Sequence, residues 1–264
     1  MIRGIYTIVG LAFIAVFTAA QHKVKDVALT LPNETLAFAV DIQDNIYFID
    51  NKLNLIKRNA AGDTIRMISA LNQGSEPIID ASNPLEIFVY FTTTGRVVWY
   101  DNQLNPGGSL DLFAAGLNNI GGFGRANDGN IWVFDNNKGI LKKLNREGNL
   151  LEQSLMLQGQ GAATSIILDN GKEILVSCSE GLHVLSNNLV LLRTVSRTRT
   201  PLGWSQDNIV SCDSLCVYQS QGVSVLREDT LLCVEKPKKI LGGNPVIVGV
   251  EDERGIHLHS VKKN

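Results

Sequence analysis

Three aspartates recur at equivalent places in the sequence, and they are its best candidates for acid–base chemistry. Asp41, Asp80 and Asp169 each stand near the end of an apolar run that precedes a turn. Carboxylates collected from separate repeats could act as general acid and base, with Arg125 stabilising an oxyanion. A turn residue that accepts backbone N–H groups would recur in the same way, and we favour this second interpretation.

A second group of residues could bind an anionic ligand or an acidic partner. Two segments, 196–200 and 236–244, are predicted links between repeats and contribute the candidate binding residues Arg197, Arg199, Lys236, Lys238 and Lys239. The turns predicted for the opposite face are acidic and contain Asp44, Asp128, Asp207, Glu251, Asp252 and Glu253. The separation of positive and negative charge between the two faces would orient a charged partner. The alternative is that loops simply carry polar residues.

Local motifs for catalysis, nucleotide binding or metal binding are absent from the sequence. It has no Gly-x-Ser-x-Gly elbow, no His-Glu-x-x-His and no Walker loop. His257 and His259 alternate on one strand, but two histidines without a third ligand are better read as a half-exposed strand face. We therefore predict no cofactor and no metal. A net charge of −2 argues against a polybasic nucleic-acid-binding protein.

A repeat of about 42 residues must position these groups. A short apolar run, a turn of Asp, Asn or Gly, and a β-branched or aromatic run recur along the chain. The leading isoleucine of the second run recurs at intervals of 35 to 47 residues, as Ile46, Ile87, Ile131, Ile174, Ile209 and Ile256. A spacing of about 40–45 residues is typical of a four-stranded propeller blade.

Each repeat divides into four short strands. The first is predicted at 35–41, 45–50, 53–59 and 64–70, and the third at 120–126, 130–136, 140–146 and 150–157. A two-turn helix over 149–157 is the alternative for the last of these. Runs such as IYFI and IWVF are apolar on both faces, which predicts burial between two neighbouring blades. The Gly-Gly pairs at 107–108, 121–122 and 242–243 are interpreted as connectors.

The predicted fold is an all-β propeller of about six four-stranded blades. The last repeat lacks its outer strands, while the segment 24–31 precedes the first repeat without a partner. Pairing this N-terminal strand with the last blade would close the ring and remove exposed edges. Five or seven blades are the alternatives. A two-sheet sandwich rarely carries such a sustained period.

The first twenty residues resemble an export signal. Arg3, an uncharged apolar run and the small residues Thr18 and Ala20, at positions −3 and −1 of a cleavage after Ala20, predict a secretory signal peptide at 1–20 and a single domain at 21–264. An uncleaved membrane anchor is the alternative. Among the four cysteines only Cys212 and Cys216 are close enough to suggest a local disulfide, and four buried thiols are the other interpretation.

Three segments resemble a family of exported bacterial β-propeller proteins with no assigned activity. They are DNIYFIDNKLNLIKRN (44–59), NPLEIFVYFTTTGRVVWYDNQL (83–104) and GNIWVFDNNKGILKKLN (129–145). The resemblance covers about residues 40–195, and GNIWV is loosely similar to NHL repeats. It implies a six-bladed propeller but transfers no catalytic residue.

These observations predict an exported, non-catalytic binding or scaffold protein of the periplasm or cell surface. One loop face would be presented to an envelope protein, peptide or glycan. We expect a monomer that binds no nucleic acid and does not insert into the membrane after signal cleavage. The alternative is a propeller enzyme, such as a lyase, lactonase or glycosidase, whose site is assembled from carboxylates of several blades.

Overall fold

A computed structural model describes most of the chain from residue 25 onward. The described residues are 25–32, 34–157, 165–178, 181–195, 200–205, 208–212, 216–220, 228–233, 239–243, 247–252 and 255–260. In these ranges every regular element is a β-strand. The predicted signal peptide at 1–20 lies outside them.

Within the described ranges the strands form six sheets in chain order, apart from β1 (Lys25–Leu31). The first sheet contains β2 (Ala37–Val40), β3 (Ile46–Ile49), β4 (Asn54–Arg58) and β5 (Thr64–Ser69). The second contains β6 (Pro77–Asn83), β7 (Glu86–Phe91), β8 (Arg96–Asp101) and β9 (Pro106–Asp111). The third contains β10 (Ile120–Arg125), β11 (Ile131–Asp135), β12 (Ile140–Leu144), β13 (Leu150–Gln153) and a fifth short strand, β14 (Ser165–Ile166).

The second half of the chain continues this pattern. The fourth sheet contains β15 (Leu168–Asp169), β16 (Glu173–Cys178), β17 (Gly181–Ser186) and β18 (Leu191–Val195). The fifth contains β19 (Thr200–Ser205), β20 (Asn208–Cys212), β21 (Cys216–Ser220) and β22 (Glu228–Cys233). The sixth combines β23 (Lys239–Gly243), β24 (Ile247–Asp252) and β25 (Gly255–Ser260) with β1.

The six sheets are the blades of a closed β-propeller. The first strands of neighbouring sheets lie side by side at the centre, with β2 against β6 and β23, and β19 against β23. In the sixth blade β1 pairs antiparallel with β25, so the N-terminal strand is the outer strand of the last blade. This confirms the predicted ring closure. The blades all follow the chain in the same strand order and direction, so the ring has two faces that carry different connections.

We name these two faces by the connections that they carry. The turn face carries the turns between first and second strands and between third and fourth strands. The link face carries the turns between second and third strands and the links between blades. Side-chain bonds follow this division on the link face, where Thr94 of a second–third turn donates to the Gln73 carbonyl of a link.

The hydrophobic core lies between blades. All four residues of β3 are buried, and they alternate in direction. Tyr47 packs in a cluster with Val89 of the second blade, whereas Phe48 packs in a cluster with Leu258 of the sixth. The same alternation sends Val133 of β11 toward the second blade and Trp132 toward the fourth. The prediction that the second runs are buried on both faces is therefore confirmed.

Tight hairpin turns end the strands in the way that the Asp- and Asn-rich connectors predict. The Asp50 carboxylate accepts bonds from the N–H groups of Lys52 and Asn54, and the Asn54 amide donates to its second oxygen. The same i, i+4 pairing recurs at Asp101 and Asn105. The residue before each of these partners has a positive φ, 58° at Leu53 and 59° at Leu104. Three-residue hairpins need such a residue.

The third and fourth blades are joined by the short strand β14, which precedes the first strand of the fourth blade and belongs to the third sheet. β14 pairs parallel with β10, and the Ile167 N–H donates to the Phe123 carbonyl at 2.7 Å. A side chain at Gly124 would collide with the Ile167 carbonyl. Glycine is thus the residue that lets the two first strands approach within hydrogen-bonding distance.

Several details of the sequence interpretation were wrong. The three Gly-Gly pairs lie in strands β9, β10 and β23 and not in connectors, and Gly107 and Gly108 leave room for the indole of Trp99. By contrast, the outer strand predicted at 150–157 is confirmed by β13, and the alternative helix over 149–157 is not formed. Ile256 lies in the third strand of its sheet, because the predicted link at 236–244 contains the first strand, β23.

The cysteines are also arranged differently from the local pair considered above. Cys216 is disulfide-bonded, while Cys178 and Cys212 are buried. In the strand register Cys212 stands opposite Val217, and Cys216 stands opposite Cys233. Facing positions on neighbouring antiparallel strands bring two Cα atoms to the separation that a disulfide needs.

The close approach of Gly124 to Ile167 predicts that a methyl group at position 124 strongly lowers the free energy of unfolding. Gly124→Ala should destabilise the protein by about 3 kcal/mol, because the collision is with a backbone carbonyl that holds two blades together. Gly116→Ala is the control: Gly116 has a φ of +82° but open space around it, so only about 1 kcal/mol should be lost. Urea denaturation of the three proteins measures both values. Equal losses would contradict the packing argument.

The register predicts a disulfide between Cys216 and Cys233. A non-reducing proteolytic digest should release these two residues in one cross-linked peptide, also from a Cys212→Ala variant. Reduction should lower the free energy of unfolding by about 3 kcal/mol, as expected for a loop of this size. Alkylation of Cys216 without prior reduction would contradict the assignment.

Candidate functional site

The five basic residues predicted to bind a partner fall mostly outside the described residues. Arg197, Arg199, Lys236 and Lys238 lie in segments that the structure does not describe. Lys239 was predicted to lie in a link, but it is the first residue of strand β23. The basic sector itself therefore stays a prediction.

The expected separation of charge between the two faces was wrong in the sixth blade. Glu251 and Asp252 end its second strand, so they lie toward the link face and not on the turn face. Glu251 stands opposite Lys239 in the strand register. Acidic residues therefore stand beside the predicted basic sector, because the strand phase of the last repeat differs from that of the others.

Asp41 belongs to the first turn of the first blade. One carboxylate oxygen accepts bonds from the N–H groups of Gln43 and Asn45, at 2.8 and 3.0 Å. The other accepts bonds from the Asn45 amide and the Tyr47 hydroxyl. Burial and the neighbouring Asp41 carboxylate raise the pKa of Tyr47 far above its ordinary value. Asp41 therefore orders its own hairpin.

Asp80 and Asp169 also bind backbone N–H groups two residues further along the chain, and each reaches the third blade. Asp80 accepts from the Ser82 N–H with one oxygen and from the Arg125 N–H, at 2.6 Å, with the other. Asp169 accepts from the Gly171 N–H with one oxygen. Its other oxygen accepts from the Asn127 N–H and the Trp132 indole N–H, both at 2.9 Å.

These bonds confirm the turn interpretation for Asp41 and Asp169, whereas Asp80 binds the N–H of Ser82 within its own strand, β6. Asp80 and Asp169 also fix the third blade from both sides. Burial raises the pKa of Asp80, although the bonds from Ser82 and Arg125 favour its charged form. Carboxylates bound in this way are poor candidates for moving protons to and from a substrate.

A cluster of two arginines and one glutamate lies on the turn face between the second and third blades. Arg146 forms a bidentate ion pair with Glu86, with its Nη1 and Nη2 atoms 2.6 and 2.8 Å from the two carboxylate oxygens. Arg125 Nε lies 3.3 Å from Glu86 Oε2. The Gly129 carbonyl accepts from Nε and Nη2 of Arg146. We call Glu86, Arg125 and Arg146 the arginine cluster.

Two aromatic rings of the second blade pack against the Arg146 guanidinium of the arginine cluster. The Arg146 guanidinium lies 5.5 Å from the ring centre of Phe88 and 5.1 Å from that of Trp99. Such contacts favour arginine because its charge is spread over a flat, weakly hydrated group. Burial opposes the charge of Glu86, but the hydrogen bonds and charges of Arg146 and Arg125 hold its pKa below the ordinary value.

A lysine holds the adjacent part of the turn face. Lys143 Nζ lies 2.6 Å from Asp128 and 5.2 Å from the ring centre of Trp132. Burial opposes the charge of Asp128, but the bond and charge of Lys143 hold its pKa below the ordinary value. Asp128 was predicted to make this face acidic, and in the folded protein its charge is matched by Lys143.

Sequence reasoning found Arg125 but missed Glu86 and Arg146. Arg125 ends the first strand of one repeat, Arg146 lies in the turn after its third strand, and Glu86 begins the second strand of the repeat before it. These positions place all three residues on the turn face, so the predicted strand boundaries were a signal from which the cluster could have been recognised. Their meeting depends on the packing of two blades, which no local motif records.

Two further properties concern the described residues only. Within them no group of three or more His, Cys, Asp or Glu side chains is close enough to hold a metal ion. Within the same residues no helix is long and apolar enough to span a membrane.

Solved structures similar to this chain are β-propellers with different roles. Streptogramin B lyase has a TM-score of 0.60 and 10% identity, over 91% of this chain and 88% of that one. The Cps50 (Swd1) β-propeller domain of Myceliophteria thermophila has a TM-score of 0.60 and 9% identity, over 90% of this chain and 100% of that one. A chain of a nidogen/laminin complex has a TM-score of 0.58 and 16% identity, over 76% of this chain and 81% of that one.

At these identities the similarity establishes the fold, and the chain is a β-propeller. No protein-family model matches it, and no curated protein does either. The resemblance to an exported bacterial family therefore stays an expectation. One similar structure is an enzyme and another belongs to a protein complex, so the fold is compatible with catalysis and with binding.

The arginine cluster predicts a pH-dependent contribution to stability. Glu86→Gln should lower the free energy of unfolding by about 2 kcal/mol at pH 7, because two partly buried guanidiniums lose their charged partner. The folded-state pKa of Glu86 is depressed below 4.5, so its stabilisation is present above that pH and is lost as the pH falls through the folded-state value. The difference between the two proteins should shrink accordingly.

Urea denaturation at a series of pH values measures this difference. Glu147→Gln removes the same charge from the exposed residue that follows Arg146 and should have little effect at any pH. A loss in Glu86→Gln that does not change with pH would contradict the assigned ion pair.

Proposed function

We propose that the protein is an exported, non-catalytic propeller that binds a protein, peptide or glycan partner of the cell envelope. The observation that carries this proposal is the state of the three aspartates. Asp41, Asp80 and Asp169 were the best candidates for catalysis, and each is bound to the backbone N–H group two residues further along the chain. A closed ring with rigid junctions presents loops in fixed positions, which suits binding.

Export to the periplasm or the cell surface is part of this proposal. The apolar segment near the N-terminus motivates it, and the disulfide at Cys216 supports it. Disulfides persist in oxidising compartments and are rare in the cytosol. We expect the exported protein to be a monomer, because its own N-terminal strand completes the last blade.

The link face of the fourth to sixth blades is the proposed binding surface. Its cations come from the links after the fourth and fifth blades, with Arg197 and Arg199 in one and Lys236 and Lys238 in the other. Lys239 stands opposite Glu251 in the strand register and does not lie in a link. Arg197, Arg199 and Lys238 are therefore the residues that a test should change.

A propeller enzyme is the second candidate. The similarity in fold to streptogramin B lyase supports it, since propeller enzymes need no local motif. The three aspartates do not supply its catalytic groups. A lyase, lactonase or glycosidase activity would show as saturable turnover on a substrate panel, abolished by a single substitution.

The binding proposal predicts that reversing three charges removes the partner. The wild type and a variant with Arg197→Glu, Arg199→Glu and Lys238→Glu serve as bait for crosslinking from the host's envelope fraction. A partner captured by the wild type should bind the variant at least tenfold more weakly when purified, because three attractive contacts become repulsive. Calorimetric titration measures the affinity, and matched thermal melts show that the variant is folded.

A control variant carries the same change of charge elsewhere. Lys52→Glu and Lys138→Glu alter exposed residues on the link face of the first and third blades, and Lys172→Glu alters one on the turn face. This variant should bind like the wild type. Equal weakening in both variants would reduce the effect to net charge, and equal binding by all three proteins would reject the basic sector.

A further inference from the structure

The arginine cluster leaves hydrogen-bond donors unused on the turn face. A guanidinium has five N–H donors. Arg125 gives one from Nε to Glu86 and one from Nη1 to the Ala126 carbonyl. Within the described part of the chain its Nη2 atom donates no hydrogen bond, although the neighbouring Arg146 uses its own Nη2 for Glu86 and Gly129.

Gly129 opens a gap between the two guanidiniums. A Cβ atom on Gly129 would lie 3.4 Å from Nη2 of Arg125 and 3.4 Å from Nη2 of Arg146. Among the described residues, apart from the chain neighbours of Gly129, no other heavy atom lies within 4 Å of that position. The glycine is required there by its φ of +86°, and no side chain of its own occupies the position beside the two cationic nitrogens.

The charges around the gap favour an anion. Two guanidiniums share the single carboxylate of Glu86, whose depressed pKa keeps it ionised at neutral pH. Of the other carboxylates nearby, Asp128 pairs with Lys143, while Asp80 binds the Arg125 backbone N–H and interacts with the Arg125 charge, although burial raises the pKa of the Asp80 carboxyl. Neither of these two carboxylates is hydrogen-bonded to the guanidinium groups.

The gap is accessible without being fully solvated. The side chain of Arg125 is 15% exposed and that of Arg146 is 33% exposed. The turn residues Asn127 and Asp128, next to the gap, are exposed. Partial burial strengthens a charge-assisted hydrogen bond, and the bonds to Glu86 and the rings of Phe88 and Trp99 hold the donors in place.

We propose that Gly129, Arg125 and Arg146 form a binding site for the oxyanion of a small ligand, a carboxylate or a phosphate. One ligand oxygen lies against the Gly129 Cα and accepts a hydrogen bond from Nη2 of Arg125, while the adjacent Arg146 guanidinium, whose Nη2 donors are used by Glu86 and Gly129, contributes its positive charge. The site is on the turn face, opposite the link face that carries the proposed partner surface, and it does not rest on the proposed function.

The experiment titrates the purified protein with inorganic phosphate, acetate and sulfate at constant ionic strength, with chloride as the reference anion. The amide resonance of Gly129 in a ¹H–¹⁵N NMR spectrum reports on the site. We expect a saturable shift with at least one of the oxyanions and none with chloride. Comparing phosphate with acetate shows which oxyanion the site prefers.

Two pairs of variants separate the site from its surroundings. Gly129→Ala places a methyl group in the gap, and Gly116→Ala imposes a similar backbone strain, at a φ of +82°, where the space is open. Arg125→Gln removes the unused donor, and Arg193→Gln removes an arginine from an ion pair with Glu173 in the fourth blade. Gly129→Ala and Arg125→Gln should raise the dissociation constant about tenfold, the effect of losing one such bond.

The two control variants should bind within about twofold of the wild type. In the arginine variants a ligand-induced rise in melting temperature gives a second readout of binding. Absence of saturation with all three oxyanions would overturn the proposal. So would wild-type affinity in Gly129→Ala, or equal weakening in Gly116→Ala, which would assign the effect to strain.

Discussion

The architecture depends on second strands that are apolar on both faces and can be buried only between two other sheets. In β3 the side chains alternate, so that Tyr47 packs toward the second blade and Phe48 toward the sixth. A blade is therefore not stable alone, and a row of blades would leave apolar faces uncovered at both ends. Closure by β1 solves this problem, because the sixth blade packs against the first.

Polar groups complete the junctions that apolar packing begins. The third blade is held from one side by Asp80 and from the other by Asp169, and it shares the short strand β14 with the fourth. Carboxylates and arginines at blade ends look like catalytic groups when they are read along the chain. In three dimensions most of their hydrogen-bonding capacity joins blades. The donor left over on Arg125 is notable for that reason.

The two faces of the ring differ in how they are built. On the turn face of the second to fourth blades, ions and aromatic rings form a fixed network around Arg146 and Lys143. The link face carries the connections between blades, where Thr94 and Asn119 tie links to neighbouring turns. A rigid network suits a small ligand with few contacts, whereas long links suit a larger partner.

The sequence by itself determined the repeat, the strands of the first and third blades, the two-sided burial of the second strands and the closure by the N-terminal strand. These features follow from local alternation and turn chemistry, which are written in neighbouring residues. The strand boundaries of the last repeat were decided only by the tertiary structure. As a result Glu251 lies toward the link face and not on the turn face, where it was predicted. The pairing register opposite Cys216 and the meeting of Glu86, Arg125 and Arg146 were decided in the same way, because both depend on contacts between distant segments.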